Sequence, residues 1–327
     1  MDVLRHATAA LLASTLGGCQ PKTRTEPPPS AEAQTLQIVD ATPEYLALLR
    51  EGGEAPFEQE AQSFLSSVVE PHAELYSAEV IGFDEARAPR DALASILPQY
   101  LPHAYAQTDR IQSVLETLVL ELPQHRQSFE QAFGKFSKPT TIYLTSSLGS
   151  FDGGTRMIEG EPALLFGVDG IAFFHPPEND LAPLIHHELF HIHHGIQLEL
   201  AGAEPSETTI GQMLWAEGLA TFVSHELNPD ASWSEVLLSD TMIQQTDARL
   251  PELASELADN LTSTDETLVS DYFVGGSGDR VPDRCGYYIG MRVAERLRQR
   301  RSLIQLATLH GAELDTEIET ALRTLAN

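Results

Sequence analysis

The chain has 327 residues, 42% of them hydrophobic and 21% charged, which is enough apolar matter for a core and argues against a chain disordered throughout. Its 48 acidic and 20 basic residues leave a net charge of −28, a surface that repels phosphate and sets the protein against nucleic acid as a partner. It has only two cysteines, Cys19 and Cys285, and with Cys19 assigned below to another role no intramolecular disulfide is expected, leaving Cys285 as a buried thiol.

Residues 1–18, MDVLRHATAALLASTLGG, place Arg5 and His6 before a mostly apolar run from Ala7 to Leu16. That run has the length of a signal-peptide core and is too short to span a bilayer. It ends in Leu16-Gly17-Gly18-Cys19, which resembles a bacterial lipobox. The resemblance implies cleavage before Cys19, acylation of that cysteine and anchorage to a membrane of the bacterial cell envelope. Gln20, rather than Asp, follows the cysteine, which in proteins with the pattern it resembles implies the outer membrane. Residues 19–39 then read as a tether, because QPKTRTEPPPSAEAQT (20–35) is too polar and proline-rich to pack a core.

Residues 40–137 are expected to be helical. Phe57, Ala61, Phe64, Leu65 and Val68 recur at helical spacing, as do Ile111, Val114, Leu115, Leu118 and Leu122. Pro71, Pro89, Pro98, Pro102 and Pro123 are expected to punctuate these helices. No chemistry is legible in this half.

After Pro139 the texture changes, and 138–327 reads as the catalytic region. TTIYLT (140–145) is β-branched and aromatic and predicts a strand. SSLGSFDGGTRMIEGEP lacks the glycine spacing and the basic residue of a phosphate loop and reads as a turn or cleft rim. ALLFGVD and GIAFFH (163–175) predict two more strands joined near Gly170. From Pro176 onward the pattern is largely helical. Strands in mid-chain followed by long helices give an α+β class, mostly helical, with a small sheet preceding the helix that carries the motif.

That helix is LIHHELFHIHHG (184–195), with five of the chain's 12 histidines. His187-Glu188-Leu189-Phe190-His191 is an HExxH motif. Asn179 or Asp180 can cap its start, and Pro183 fits the first turn. Residues four apart on a helix share a face, so the imidazoles of His187 and His191 can converge on one ion, and Zn²⁺ accepts such ligands. Glu188 is offset by one position, where it can take a proton from water activated at the metal. A second element, LWAEGLATFVSHEL (214–227), carries Glu217 among small residues, and the close approach of this helix to the first would explain Gly218. Glu217 there can complete a His₂Glu site with the fourth position left for water. His193 and His194 are read as cations near a helix end stopped by Gly195.

With these motifs the chain resembles the gluzincin metallopeptidases and, more narrowly, bacterial zinc-dependent proteases that carry HExxH, W-x-E-G-x-A and G-Y-x-x-G. The last stands here as Gly286-Tyr287-Tyr288-Ile289-Gly290. The resemblance covers about 140–300 and implies a zincin-like fold, one zinc ion held by His187, His191 and Glu217, Glu188 as general base, and a peptide or protein substrate. Better-known gluzincins often place an acidic residue four after the ligand glutamate; here Thr221 stands there. Tyr287, matching the tyrosine of GYxxG, is the candidate donor to the oxyanion, with Tyr288 as its alternative and His225 as a weaker one. VGGSGDRVPDRC (274–285) reads as a candidate lid, and GIAFFH as a strand against which a peptide could pair. Two other classes stay open: a non-catalytic zinc-binding surface lipoprotein, and a structural zinc site closed by a fourth protein ligand.

Overall fold

In the computed structural model the described residues are 36–53, 55–203, 208–275 and 280–327. Cys19 with its lipobox and the stretch 20–35 lie outside them, as do 276–279 of the candidate lid. Among the described residues no helix is long and apolar enough to cross a membrane.

The first strand, β1 (Leu36–Asp40), takes up the last residues assigned to the tether. LQIVD pairs parallel with TTIYLT, so the chain joins the sheet from residue 36 onward. Five α-helices follow: α1 (Pro43–Glu51), α2 (Phe57–Phe64), α3 (Ala78–Ile81), α4 (Pro89–Ala106) and α5 (Thr108–Phe133), with a π-helical turn (Leu65–Val69) and a 3-10 segment (Glu70–Tyr76) between α2 and α3. Phe64, Leu65 and Val68 are buried, while Phe57 stays 36% exposed at the start of α2. Pro89 opens α4, as its missing N–H allows. Pro98, Pro102 and Pro123 do not end helices as expected; α4 and α5 run through them. The buried stripe of α5, including Ile111, Leu118, Leu122 and Phe129, outweighs the local cost. Each fully buried side chain of that size contributes roughly 1.5–3 kcal/mol, against about 3 kcal/mol for a helix-interior proline.

Three strands follow, β2 (Thr140–Thr145), β3 (Gly153–Ile158) and β4 (Glu161–Gly167), in the sheet order β1-β2-β4-β3. β2 and β4 are parallel, with Ile142 opposite Leu164; β3 returns antiparallel to β4, with Thr155 opposite Leu164. Part of the expected loop is therefore the edge strand β3. GIAFFH, expected as a strand, is instead the body of helix α6 (Val168–Phe174). A short buried apolar run fits either state, and tertiary contacts decide it. A Cβ on Gly170 would lie 1.8 Å from the Phe151 carbonyl oxygen, so α6 packs backbone to backbone under the preceding loop. Arg110 of α5 donates to the Ala172 and His175 carbonyls and closes the end of α6.

The buried Asp169 carboxylate fixes that loop. It accepts from Ser147 N (2.7 Å), Ser147 Oγ (2.9 Å), Gly149 N (2.9 Å) and Ser146 Oγ (3.3 Å). Ser146 also pairs with Tyr100 (2.8 Å), which donates to Tyr45 (2.6 Å), so α1 and α4 are tied to the same loop.

The rest is helical: α7 (Ala182–Leu200), α8 (Ile210–Leu227), α9 (Trp233–Leu237), α10 (Asp240–Asp259), α11 (Glu266–Val269), α12 (Cys285–Arg298), α13 (Leu303–Ala307) and α14 (Gly311–Leu325). The protein is α+β and mostly helical, with one small four-stranded sheet. Apolar side chains of α1, α4 and α5 belong to the same buried cluster as those of the sheet, α7, α8 and α12, so the boundary near 137 does not divide the core.

Candidate metal centre and its cavity

Helix α7 begins where Asp180 Oδ1 accepts the Ala182 N–H (2.8 Å) and Pro183 fills the first turn. It does not stop at Gly195 but continues to Leu200. His193 and His194 are accordingly not cations at a helix end. Both are buried, His193 among Phe129, Phe133 and Phe190, and His194 against Phe190. Burial lowers their basicity to about 4 and about 3, so both are neutral packing groups at neutral pH. His186 is held by Ser128 (2.9 Å) and Asn228 (2.8 Å) on another face.

His187 and His191 face the crossing with α8, where Glu217 points back at them. The His191 and His187 Nε2 atoms are 3.0 Å apart, and Glu217 Oε2 lies 3.3 Å from His187 Nε2 and 3.4 Å from His191 Nε2. A tetrahedral zinc with ligands at about 2.0–2.1 Å has ligand–ligand edges of about 3.3–3.4 Å. The three donor atoms thus form one face of such a tetrahedron, and two imidazoles with one carboxylate are the donor types zinc takes in catalytic sites.

The electrostatics agree. Burial pushes Glu217 up, but the charge and hydrogen bonds of His191 and His187 outweigh it and hold the carboxyl well below its usual range. Burial lowers His191, yet the Glu217 carboxylate overrides this and raises it to about 9, while His187 is lowered by its burial. The ionised Glu217 thus favours positive charge at the meeting point.

Glu217 reaches this place through a helix crossing different from the one expected. A Cβ on Gly218 would lie 2.1 Å from the Gly290 carbonyl carbon, and one on Gly290 would lie 2.2 Å from the Leu214 carbonyl oxygen. The glycine of EGLA therefore lets α8 touch α12, and its partner is the second glycine of GYxxG rather than α7. Thr221, in the place of an acidic residue, gives its hydroxyl to the Glu217 carbonyl (2.8 Å).

The crossing with α12 also settles which tyrosine faces the site. Tyr287 lines the cavity, its ring stacked 6.3 Å from that of His187. Burial, then the Glu217 charge, holds its phenol protonated and able to donate. Tyr288 points away, donating to Asp247 (2.8 Å) and accepting from Arg292 (3.1 Å). His225 is stacked on Trp233 at 3.8 Å.

Glu188 is buried beside the cluster, and its Oε2 has no hydrogen-bond partner. Burial raises its carboxyl to about 8, an effect that His191 and Arg156 moderate. A Cβ on Gly153 would lie 2.7 Å from Glu188 Cγ, so β3 passes directly against the general-base candidate.

Triad, Glu188 and Tyr287 all line one cavity of about 560 Å³. Among the further lining residues to which the sequence reading gave no role are Asp152, Arg156, His175 and Arg284. Asp152 pairs with His175 (2.8 Å) and accepts from Gly153 N (2.9 Å). Burial pushes Asp152 up, but the His175 hydrogen bond and charge prevail and hold it well below the usual carboxylate range. Arg284, at positive φ, lays its guanidinium over the Tyr287 ring at 4.6 Å. Burial lowers Arg156 only to about 10, so it stays charged at neutral pH. SFDGGTR shows an acid, a base and a glycine pair at a cleft rim, but no spacing rule ties them to HExxH.

Residues 160–314 match the model of a family described as "Predicted Zn-dependent protease (DUF2268)". The match takes in both helices of the triad and Tyr287 and leaves out Asp152 and Arg156. No curated protein and no solved structure matches the chain.

Proposed function

We propose that this protein is a zinc-dependent peptidase. The observation that carries the reading is the convergence of His187, His191 and Glu217 on one point with Glu188 beside them and cavity space in front. Zn²⁺ bound there would act as a Lewis acid toward water and a peptide carbonyl. The charge of the bound ion would favour the ionised form of Glu188, which is buried with its Oε2 free of hydrogen-bond partners; as a carboxylate it takes the proton of the attacking water and passes it to the leaving amine. Tyr287 keeps its proton and donates to the carbonyl oxygen as negative charge develops. Arg284, against the Tyr287 ring, holds that phenol in place.

An extended peptide cannot pair with GIAFFH, which is helical. β3 replaces it in this reading, being the edge strand of the sheet and lying against Glu188. The lipobox supports export and a lipid anchor on Cys19, which would put the activity at the bacterial cell envelope, with the outer membrane favoured by Gln20. A non-catalytic zinc-binding lipoprotein is the second reading. It gives no role to a buried, unpartnered carboxylate at the position of Glu188.

Cleavage of unfolded proteins or a peptide library by the wild type and by Glu188→Gln separates the two. The expected loss is about 10²–10⁴-fold in kcat with zinc content unchanged. Equal activity and equal zinc in the two proteins would end the peptidase reading.

A further inference from the structure

Arg156 is a cation of the cavity to which the mechanism gives no role. Arg156 lies on β3, 3% exposed, and lines the same cavity as the triad. A buried charge is costly unless it is paired and hydrogen-bonded. Yet among the described residues no carboxylate oxygen comes within the 4.0 Å of an ion pair with this guanidinium. Nη1 donates to the Thr155 carbonyl (3.0 Å), the Phe151 ring lies 4.9 Å from the guanidinium carbon, and Nε has no partner. Most of the five N–H donors of an arginine are left over.

The nearby acids do not fill the gap. Asp152 is committed to His175 and to the Gly153 amide. Glu188 sits close enough to feel the Arg156 charge, but each of the two keeps a buried atom without a partner rather than bonding the other. An Arg156–Glu188 ion pair would remove the proposed base from service, and the fold avoids it. Gly154 makes room for this arrangement: a Cβ there would lie 2.4 Å from Arg156 Nη1. The arginine thus folds back over its own strand with its remaining donors unspent. A chain of net charge −28 repels anionic ligands at long range, so a carboxylate is held in this cavity only by a local cation.

We propose that Arg156 is the carboxylate-binding residue of the cavity, and that the preferred substrates are peptides presenting a carboxylate next to the cleaved bond. Arginine suits the task because its planar fork matches the two oxygens of a carboxylate and keeps its charge when buried. Two sources offer that chemistry, the free C-terminus of a peptide and the side chain of Asp or Glu. The first makes the enzyme an exopeptidase; the second makes it an endopeptidase selective for acidic sequences. The proposal rests on the peptidase reading for the identity of the ligand as a peptide, while its own evidence is the unpaired guanidinium.

The test is calorimetric binding to zinc-loaded Glu188→Gln protein. Four peptides of one sequence serve as probes, with a free or amidated C-terminus and with Glu or Gln at the residue beside the scissile bond. The expected result is about tenfold or more tighter binding for one carboxylate form over its neutral counterpart, the scale of a hydrogen bond to a charged group. Which pair shows the ratio names the source. In Glu188→Gln/Arg156→Gln the ratio collapses toward one, and in Glu188→Gln/Arg156→Lys it is partly restored. Equal affinity for all four peptides overturns the proposal without any Arg156 variant having to fold, and so does a preference that survives Arg156→Gln. Failure of the peptidase reading looks different: wild type and Glu188→Gln would cleave equally, whatever the peptides' charge.

Discussion

Two walls face each other across the cavity, and they hold charge in opposite ways. The helical wall, α7 with α8 and α12, concentrates charge in a tight cluster: two imidazoles and a carboxylate within 3.4 Å of one another, each satisfied by the others. The sheet wall, β3 with α6 and the 146–152 loop, spreads its charges and leaves one cation unpaired. The first wall is built by helix periodicity and a glycine-to-glycine crossing. The second is built by a buried carboxylate, Asp169, and by Arg110 reaching in from the N-terminal half. A site that must hold one small ion needs close packing; a site that must take a variable ligand needs unspent donors.

The walls should therefore fail separately. Asp169→Ala removes the acceptor of two buried amides and two hydroxyls, and each unsatisfied group costs about 1–3 kcal/mol. A loss of about 3 kcal/mol or more in denaturant unfolding is expected, with zinc per folded chain unchanged. Loss of zinc in the folded fraction would show that the sheet wall also holds the metal centre.

Tyr287→Phe should lower kcat about 10²–10³-fold with zinc retained, since one donor to the developing oxyanion is lost. A kcat within about twofold of wild type would remove Tyr287 from the mechanism.

Gly218→Ala drives a methyl group into the Gly290 backbone and should cost about 1–3 kcal/mol. It should weaken zinc affinity as well, because Glu217 is the next residue on α8. A shift in thermal midpoint with unaltered zinc affinity would mean that the crossing with α12 does not place the carboxylate. Tyr288→Phe should do least, within about 1 kcal/mol of stability for the lost Asp247 hydrogen bond and with no change in kcat.

The same contrast explains what the sequence makes legible. His187, Glu188 and His191 are fixed by helix periodicity alone, so their mutual placement can be read from spacing. Glu217 and Tyr287 can be named because they stand in short motifs with glycines, although the contact those glycines serve, Gly218 against Gly290, joins α8 to α12 and is invisible in the spacing. The sheet wall resisted for physical reasons. GIAFF (170–174) is uniformly apolar, so neither period marks it, and its helical state depends on the Phe151 carbonyl and on Arg110, which is far off in sequence. The strand β3 begins with two glycines and carries a buried arginine, opposite to strand propensity and to ordinary burial. Arg156 and Asp152 acquire meaning only when β3 is laid against Glu188. Pro98, Pro102 and Pro123 misled in the other direction, since packing held helices that local chemistry would break.

The central claim is that one metal ion sits where α7 and α8 meet. Zinc content and affinity of the purified wild type and of Glu217→Ala, measured by elemental analysis and chelator competition, test it most directly. The account predicts about one zinc per wild-type chain, and at least about tenfold weaker binding once the carboxylate is gone, with both proteins folded. Wild-type affinity in the Glu217→Ala protein would contradict it.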